Sequence, residues 1–401
     1  MDKLNYFLYN SYVLILILVF LCGGFIQYFI GVPNTVYTIF VVVVIWILIL
    51  IHTLTSRKIY ISQFLLSSLF FSLIILISSL INFSKIHKVL LYVFFSLNPL
   101  VIFYFYKVLE KRNINFQPIL IKFSRFIALI QLPLILIQKF GFDFLIKLNN
   151  SNQNINDYDF MFGSFFIKAD HALGFFLLSY IINIIFRIRR KEINKIPWIL
   201  LTYLSATIFI MESNLTKLML IIVFLYYLFL WLYKKINILG VFAIAIISIV
   251  VFNFSLNIHA INAQYLYFKS RYTPQQSLIA FEKGYAKRPQ VVVTYATKKE
   301  LKWIGDGPYN YFNIFTGKFK QTNHFSQLIW SYNDLGIIGL IATIILAFFL
   351  IKSLSLEYES FVLIYSVFIL YLFMTTVFFD IAMMLSLSLI KAKRKEDIKL
   401  K

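Results

Sequence analysis

Ten apolar runs and one longer apolar stretch set the limits on what this chain can fold into. The runs occupy residues 11–30, 33–51, 60–81, 89–106, 121–138, 163–186, 196–211, 215–233, 236–256 and 326–351, and the long stretch is 358–390. About twenty helical residues cross a hydrocarbon core of ~30 Å. Lipid offers the backbone no hydrogen-bond partners, so only helices or closed barrels can cross it. Barrel strands are about ten residues long and alternate in polarity; these runs are longer and do not alternate. Of the 401 residues, 60% are hydrophobic and 14% charged. That excludes a soluble globular enzyme, a disordered tail and a peripheral protein with one anchor. The expected fold is an all-α polytopic membrane protein with about twelve spans. The count is eleven if 358–390 is one long helix, and twelve if it is a tight pair.

The formal net charge of +21 has two ordinary sources. Lys, Ile, Asn, Phe and Tyr are abundant together, as AT-rich coding produces, and cytoplasmic loops collect Lys and Arg. No nucleic-acid partner is expected from it. The single cysteine, Cys22, lies inside an apolar run, which excludes an intrachain disulfide and disfavours a cysteine metal site. The first run has no Ala-x-Ala cleavage pattern after it and reads as a retained helix. Arg57-Lys58, then Lys107 with Lys111-Arg112 and Lys122, then Arg187 to Lys191, then Lys234-Lys235 fall on alternate connections. They put the N-terminus inside, with Lys85 and Lys88 against the trend. A basic tail from Lys391 also belongs inside. That favours the tight pair, with Asp380 near its external turn.

The domain reading is an N-terminal bundle of about nine spans over 1–256, an external loop subdomain at 257–325, C-terminal membrane helices over 326–390 and a cytoplasmic tail at 391–401. A second, smaller external connection covers about 139–162. The large loop carries ten basic residues against three acidic ones, so an anionic ligand and anionic lipid headgroups both suit it.

Ionisable residues in or beside spans are costly and mark sites or pairs. Lys168, Asp170 and His171 open the sixth run. Glu212 and Lys217 flank the turn between the seventh and eighth, and His324 and Asp334 start the tenth. In this topology all lie at the external face. On a helix, His324, Gln327, Ser331 and Asp334 form one polar stripe, suited to facing a cleft. Gly305-Asp306-Gly307-Pro308 is a turn by composition. Walker A, His-Glu-x-x-His and Gly-x-Ser-x-Gly motifs are absent.

Several of these segments resemble the superfamily of O-antigen ligases and Wzy-type O-antigen polymerases. Gly163-Ser164-Phe165 to Gly174 is similar to the family's Gly-Thr-Phe segment entering a central span. Leu215-Thr216-Lys217 is similar to its Ser-Arg helix start. Ile304-Gly305-Asp306-Gly307-Pro308-Tyr309, Asn323-His324 and Asp334-Leu335-Gly336 resemble the Gly-x-Gly, His and acidic-x-Gly series closing the large loop. Phe325 stands where Asn often follows the His. Lys217 replaces Arg, supplying charge without a bidentate fork.

The resemblance implies a lipid-pyrophosphate-dependent glycosyltransferase in the bacterial cytoplasmic (inner) membrane, with its active site facing outward. The implied activity is repeat-unit polymerisation of O-antigen, capsule or exopolysaccharide. A growing glycan would move from undecaprenyl pyrophosphate to a lipid-linked repeat unit. Such a site needs cations for the leaving pyrophosphate and a base for the acceptor hydroxyl. His324 is the expected base, with Asp334 its orienter or alternate. Arg271, Arg288, Lys168 and Lys217 are expected to hold the pyrophosphate, and Asp170, His171 and Asp306 to bind sugar hydroxyls. No cofactor and no metal are expected, because the donor is already activated. The partners are the lipid-linked oligosaccharide and the bilayer, with a chain-length regulator as a further candidate. A ligase transferring to lipid A core or protein is the near alternative; a flippase or other transporter is the distant one.

Overall fold

The computed structural model describes residues 3–151, 153, 155–167, 170–193, 195–255, 259–297, 301–310, 312–313, 318–319 and 326–391. The described chain is almost entirely helical. Its helices are α1 (Lys3–Ile30), α2 (Asn34–Ser56), α3 (Gln63–Ile81), α4 (Ile86–Ser96), α5 (Asn98–Lys111), α6 (Gln117–Phe140), α7 (Asp170–Arg189) and α8 (Trp198–Ile210). They continue with α9 (Asn214–Ser255), α10 (His259–Arg271), α11 (Pro274–Glu282), α12 (Arg288–Thr297), α13 (Gln327–Lys352), α14 (Tyr358–Met374) and α15 (Ile381–Leu387). Two two-residue strands, β1 (Phe312–Asn313) and β2 (Lys318–Phe319), pair antiparallel.

Among the described residues, seven helices are long and apolar enough to cross a membrane, or eight if the bent pair α4–α5 is one span. Their surface shows why lipid is required. On α2, Val36, Phe40, Val43, Ile47, Leu50 and Leu54 are exposed along one face, while Tyr37, Val41, Val42, Ile45, Leu48 and Ile49 are buried on the other. In water that outer stripe would be an aggregation site; in hydrocarbon it is the solvated face. The protein is membrane-embedded.

The described helices differ from the sequence-based spans in three places. The runs at 215–233 and 236–256 form the single 42-residue helix α9. Lys234-Lys235, expected as a loop, continue its turns because no Gly or Pro interrupts there. The run expected to begin at residue 163 becomes helical only at Asp170. Before it, residues 163–167 are irregular and buried, held by side-chain amides. Gln138 Oε1 accepts from the Gly163 N–H (2.8 Å), Gln131 Oε1 from the Ser164 N–H (3.1 Å) and Gln27 Oε1 from the Ile167 N–H (2.9 Å). Non-helical backbone is tolerated at depth where protein supplies such partners.

The third departure concerns 358–390, which does double back. Arg189 at the end of α7 pairs with Glu359 at 2.5 Å, and Asn183 on the same helix donates to the Leu389 carbonyl at 2.5 Å. The two limbs therefore start and finish beside the same part of α7. The returning limb, Ile381–Ile390, is only ten residues long, about 15 Å at 1.5 Å per residue. Asp380 therefore lies about half a hydrocarbon thickness from that end, not at an outer turn. It caps α15 by accepting from the Met383 N–H at 3.0 Å.

Basic residues of separate connections meet at one end of the bundle. Arg112 donates to His52 Nδ1 (2.8 Å) and Asn5 Oδ1 (3.0 Å), Lys391 pairs with Glu110 (2.6 Å), and Lys107 donates to the Ile61 carbonyl (3.2 Å).

Candidate functional site

At the other end of the bundle, α12 lies across two membrane helices and joins them. Its first residue, Arg288, hydrogen-bonds through Nη1 to His171 Nε2 on α7. Two turns on, the Tyr295 hydroxyl donates to Asn333 Oδ1 on α13 at 3.0 Å. His171 is placed there by the irregular 163–167 segment, which delivers the chain to the start of α7.

The proton arrangement follows from Arg288. A guanidinium has donors and no acceptor, so His171 Nε2 must accept and Nδ1 must carry the hydrogen. Nδ1 then donates to Ser213 Oγ at 2.8 Å. Ser213 Oγ lies 2.9 Å from Thr216 Oγ1, which lies 2.8 Å from the Tyr371 hydroxyl on α14. A continuous line of hydrogen bonds thus runs from α12 through α7 and the start of α9 into α14. The close approach has a sequence cause: a Cβ on Gly174 would stand 2.2 Å from Thr216 Oγ1.

Arg271 sits beside this line. Its guanidinium lies 5.6 Å over the Tyr267 ring and donates to the Tyr267 hydroxyl. Gln290, two residues beyond Arg288, donates to the Arg271 carbonyl at 3.2 Å. Together with Gln276 and Tyr285, Arg271, Tyr267 and Gln290 line an open surface depression of about 670 Å³. Amides, hydroxyls and phenol rings are the groups that bind sugars, and a guanidinium is the group that binds phosphate.

Asp334 takes a different position. It is wholly buried and accepts from Trp330 Nε1 (2.5 Å) and from the Tyr309 N–H (3.1 Å). Its own carbonyl accepts from the Gly307 N–H (2.9 Å) and from Ser78 Oγ (2.9 Å). The carboxylate holds the turn at 305–309 to α13, and the backbone carbonyl ties both to α3 through Ser78. Burial, and then the neighbouring carboxylate, push the Tyr309 phenol well above its ordinary pKa, so it stays neutral. The polar stripe of Gln327, Ser331 and Asp334 faces protein rather than an open cleft, with each residue buried.

The remaining expected residues divide as follows. His324 and Lys168 lie outside the described residues, and Asp170 is the first residue of α7. Lys217 is half-buried one residue after Thr216, its N–H donating to the Ser213 carbonyl at 3.1 Å. Asp306 is exposed and pairs with Lys302 at 2.8 Å, an exposed pair worth little energetically. The structure thus brings Arg288 to His171, with Lys217 joined to the same line only through its backbone bond to Ser213, while Asp334 belongs to a separate buried cluster reached through Tyr295 and Asn333.

Sequence reasoning passed over Ser213, Tyr371, Gln290 and Tyr295, and noted Thr216 only within the Leu215-Thr216-Lys217 helix start. Ser213 before a helix reads as a cap, and Tyr371 inside an apolar run reads as core. Among the described residues there is no group of three or more His, Cys, Asp or Glu able to hold a metal. Compared with family models, with curated proteins and with solved structures, the chain matches none.

Proposed function

We propose that the protein is a polysaccharide repeat-unit polymerase of the bacterial cytoplasmic (inner) membrane, transferring a glycan from undecaprenyl pyrophosphate to a lipid-linked repeat unit on the outer side. The observation that carries this reading is Arg288, borne on a loop subdomain and hydrogen-bonded to His171 at the start of a membrane helix. A lipid-linked pyrophosphate would arrive at such a boundary. Its charged oxygens outcompete a neutral imidazole for a guanidinium, because charge-assisted and bidentate hydrogen bonds are the stronger ones. Arg288 would then turn from His171 to the phosphate, and the freed Nε2 would accept from a sugar hydroxyl. Arg271 and its phenol- and amide-lined depression offer room for adjoining sugar units. In this reading His324 remains the base, Lys168 and Lys217 add charge, and Asp334 holds the 305–309 turn.

Complementation of a deletion strain tests this. The R288A substitution is expected to reduce chain elongation at least tenfold, the loss of about one charge-assisted hydrogen bond, and R288K to retain more. H324A is expected to abolish elongation with single repeat units intact. Full-length polysaccharide in R288A and H324A would overturn the reading. Long chains stranded on the carrier would indicate a ligase instead.

One observation favours a transporter as second reading. The break between α4 and α5, bent by 44°, faces the break between α14 and α15, with Phe95 stacked on Phe379 at 4.9 Å. The Asn98 amide and Gln327 Oε1 are buried nearby without hydrogen-bond partners among the described residues. Transporters bind substrates between broken helices. Movement of a lipid-linked oligosaccharide across proteoliposome membranes, without any growth in chain length, would select this reading.

A further inference from the structure

At the end of the bundle opposite His171, α3, α5 and α13 enclose a cavity of about 260 Å³. Beyond the non-helical Gly336, Ile337 and Lys352 are fifteen residues apart on α13, about 22 Å along a helix, so this cavity and the end of α13 that Tyr295 contacts through Asn333 are separated by most of a hydrocarbon thickness. The cavity has two kinds of wall. Phe64, Leu100, Phe103 and Phe349 form an apolar side, and Lys107, Lys352 and Lys391 bring ammonium groups to its edge.

The lysines are held in place by the fold. Lys107 donates to the Ile61 carbonyl at 3.2 Å, Lys352 lies 5.7 Å over the Phe349 ring, and Lys391 pairs with Glu110 at 2.6 Å. Among the described residues Glu110 is the only acidic one on the wall, against three lysines. Leu100, Phe103, Tyr104 and Lys107 follow helical spacing on α5, which carries one wall continuously from apolar to cationic. On α3, next to this wall, Leu66, Leu69, Phe70 and Leu73 are exposed in a lipid-facing stripe.

We propose that this cavity binds the phosphate of an anionic phospholipid, its headgroup among Lys107, Lys352 and Lys391 and the first acyl carbons against Phe64, Phe103 and Phe349. A lysine is a compact charge suited to phosphate, and basic pockets between membrane helices are sites for anionic headgroups. A free phosphate would satisfy the lysines and leave the apolar wall unused, and for this reason the lipid is favoured. The inference is independent of the polymerase reading, since it uses no residue of that site.

Native mass spectrometry of the full chain in neutral detergent tests it, titrating phosphatidylglycerol, phosphatidylcholine and inorganic phosphate separately. Phosphatidylglycerol is expected to bind and to weaken with added salt, with phosphatidylcholine and phosphate far weaker. One lysine near an anionic surface is worth about fivefold in binding, so K107Q/K352Q is expected to lose roughly thirtyfold while K107R/K352R stays close to wild type. Equal binding of the two lipids overturns the proposal, as does unchanged phosphatidylglycerol affinity in K107Q/K352Q. Inorganic phosphate binding as tightly as phosphatidylglycerol would overturn the lipid source. Should the glutamine variant fail to fold, the headgroup comparison on the wild-type chain decides alone.

Discussion

Gln131 shows how much a single polar side chain does inside this bundle. It is fully buried, takes the Ser164 N–H on Oε1 and gives Nε2 to Ser164 Oγ at 2.9 Å. From the sequence it is one polar residue in an apolar run; the irregular segment it serves lies 33 positions away. Replacement by Leu strands the Ser164 N–H, at about 1–3 kcal/mol, while Ser164 Oγ keeps its bond to the Phe20 carbonyl at 2.6 Å. The Q131L variant is therefore expected to lower the midpoint of thermal unfolding in detergent by several degrees, read by intrinsic fluorescence. His171 makes a related point. Its identity as a candidate was legible from its position at the start of a span, but its tautomer is dictated by Arg288, 117 residues further on. Asp334 was equally visible, yet its carboxylate is spent on Trp330 and Tyr309, a distinction that depends on which side chains fold over it.

Among the elements, α13 carries the most information. Gly336 has φ 75° and ψ −165°, a conformation essentially confined to glycine, and a Cβ there would stand 2.3 Å from the Trp303 carbonyl oxygen. The residue lets the 302–307 segment lie directly on the helix, where the Ile337 N–H donates to the Lys302 carbonyl at 2.8 Å. In the sequence, Gly336 and Gly339 suggest close helix packing; the partner proves to be a loop backbone. The G336A substitution is expected to destabilise the protein by on the order of 3 kcal/mol from backbone strain and overlap together. The check is the yield of monodisperse protein after mild heating, with G284A as the control, since a Cβ at Gly284 would meet nothing within 4 Å; its positive φ still makes a small loss expected there. Element boundaries were the least legible feature. The continuity of α9 and the shortness of α15 depend on what packs beside them, and hydropathy is blind to that.

For the whole molecule, the arrangement of ends matters most. Lys107, Arg112, Arg189, Lys352 and Lys391 gather at one end, and Arg271, Arg288 and Lys217 belong to the other. If the first end is cytoplasmic, as the charge rule requires, single cysteines in a Cys22→Ser background should report it. A cysteine replacing the exposed Tyr285 is expected to react with a membrane-impermeant thiol reagent added to intact cells, and one replacing Lys352 only after lysis. The opposite pattern would invert the molecule and remove the proposed site from the envelope exterior.

The sequence by itself determined that the chain is helical and lives in lipid, because runs of apolar residues of this length leave the backbone no other way to satisfy its hydrogen bonds. It also marked the residues whose charge would be expensive to bury. Only the tertiary structure decided which of them meet. Arg288 with His171, Gln131 with Ser164 and Lys391 with Glu110 are pairings between distant segments, and no local pattern encodes them. They are settled by how the helices pack, and in lipid that packing turns on close fit and on polar groups finding one another, since apolar side chains lose little by facing lipid instead.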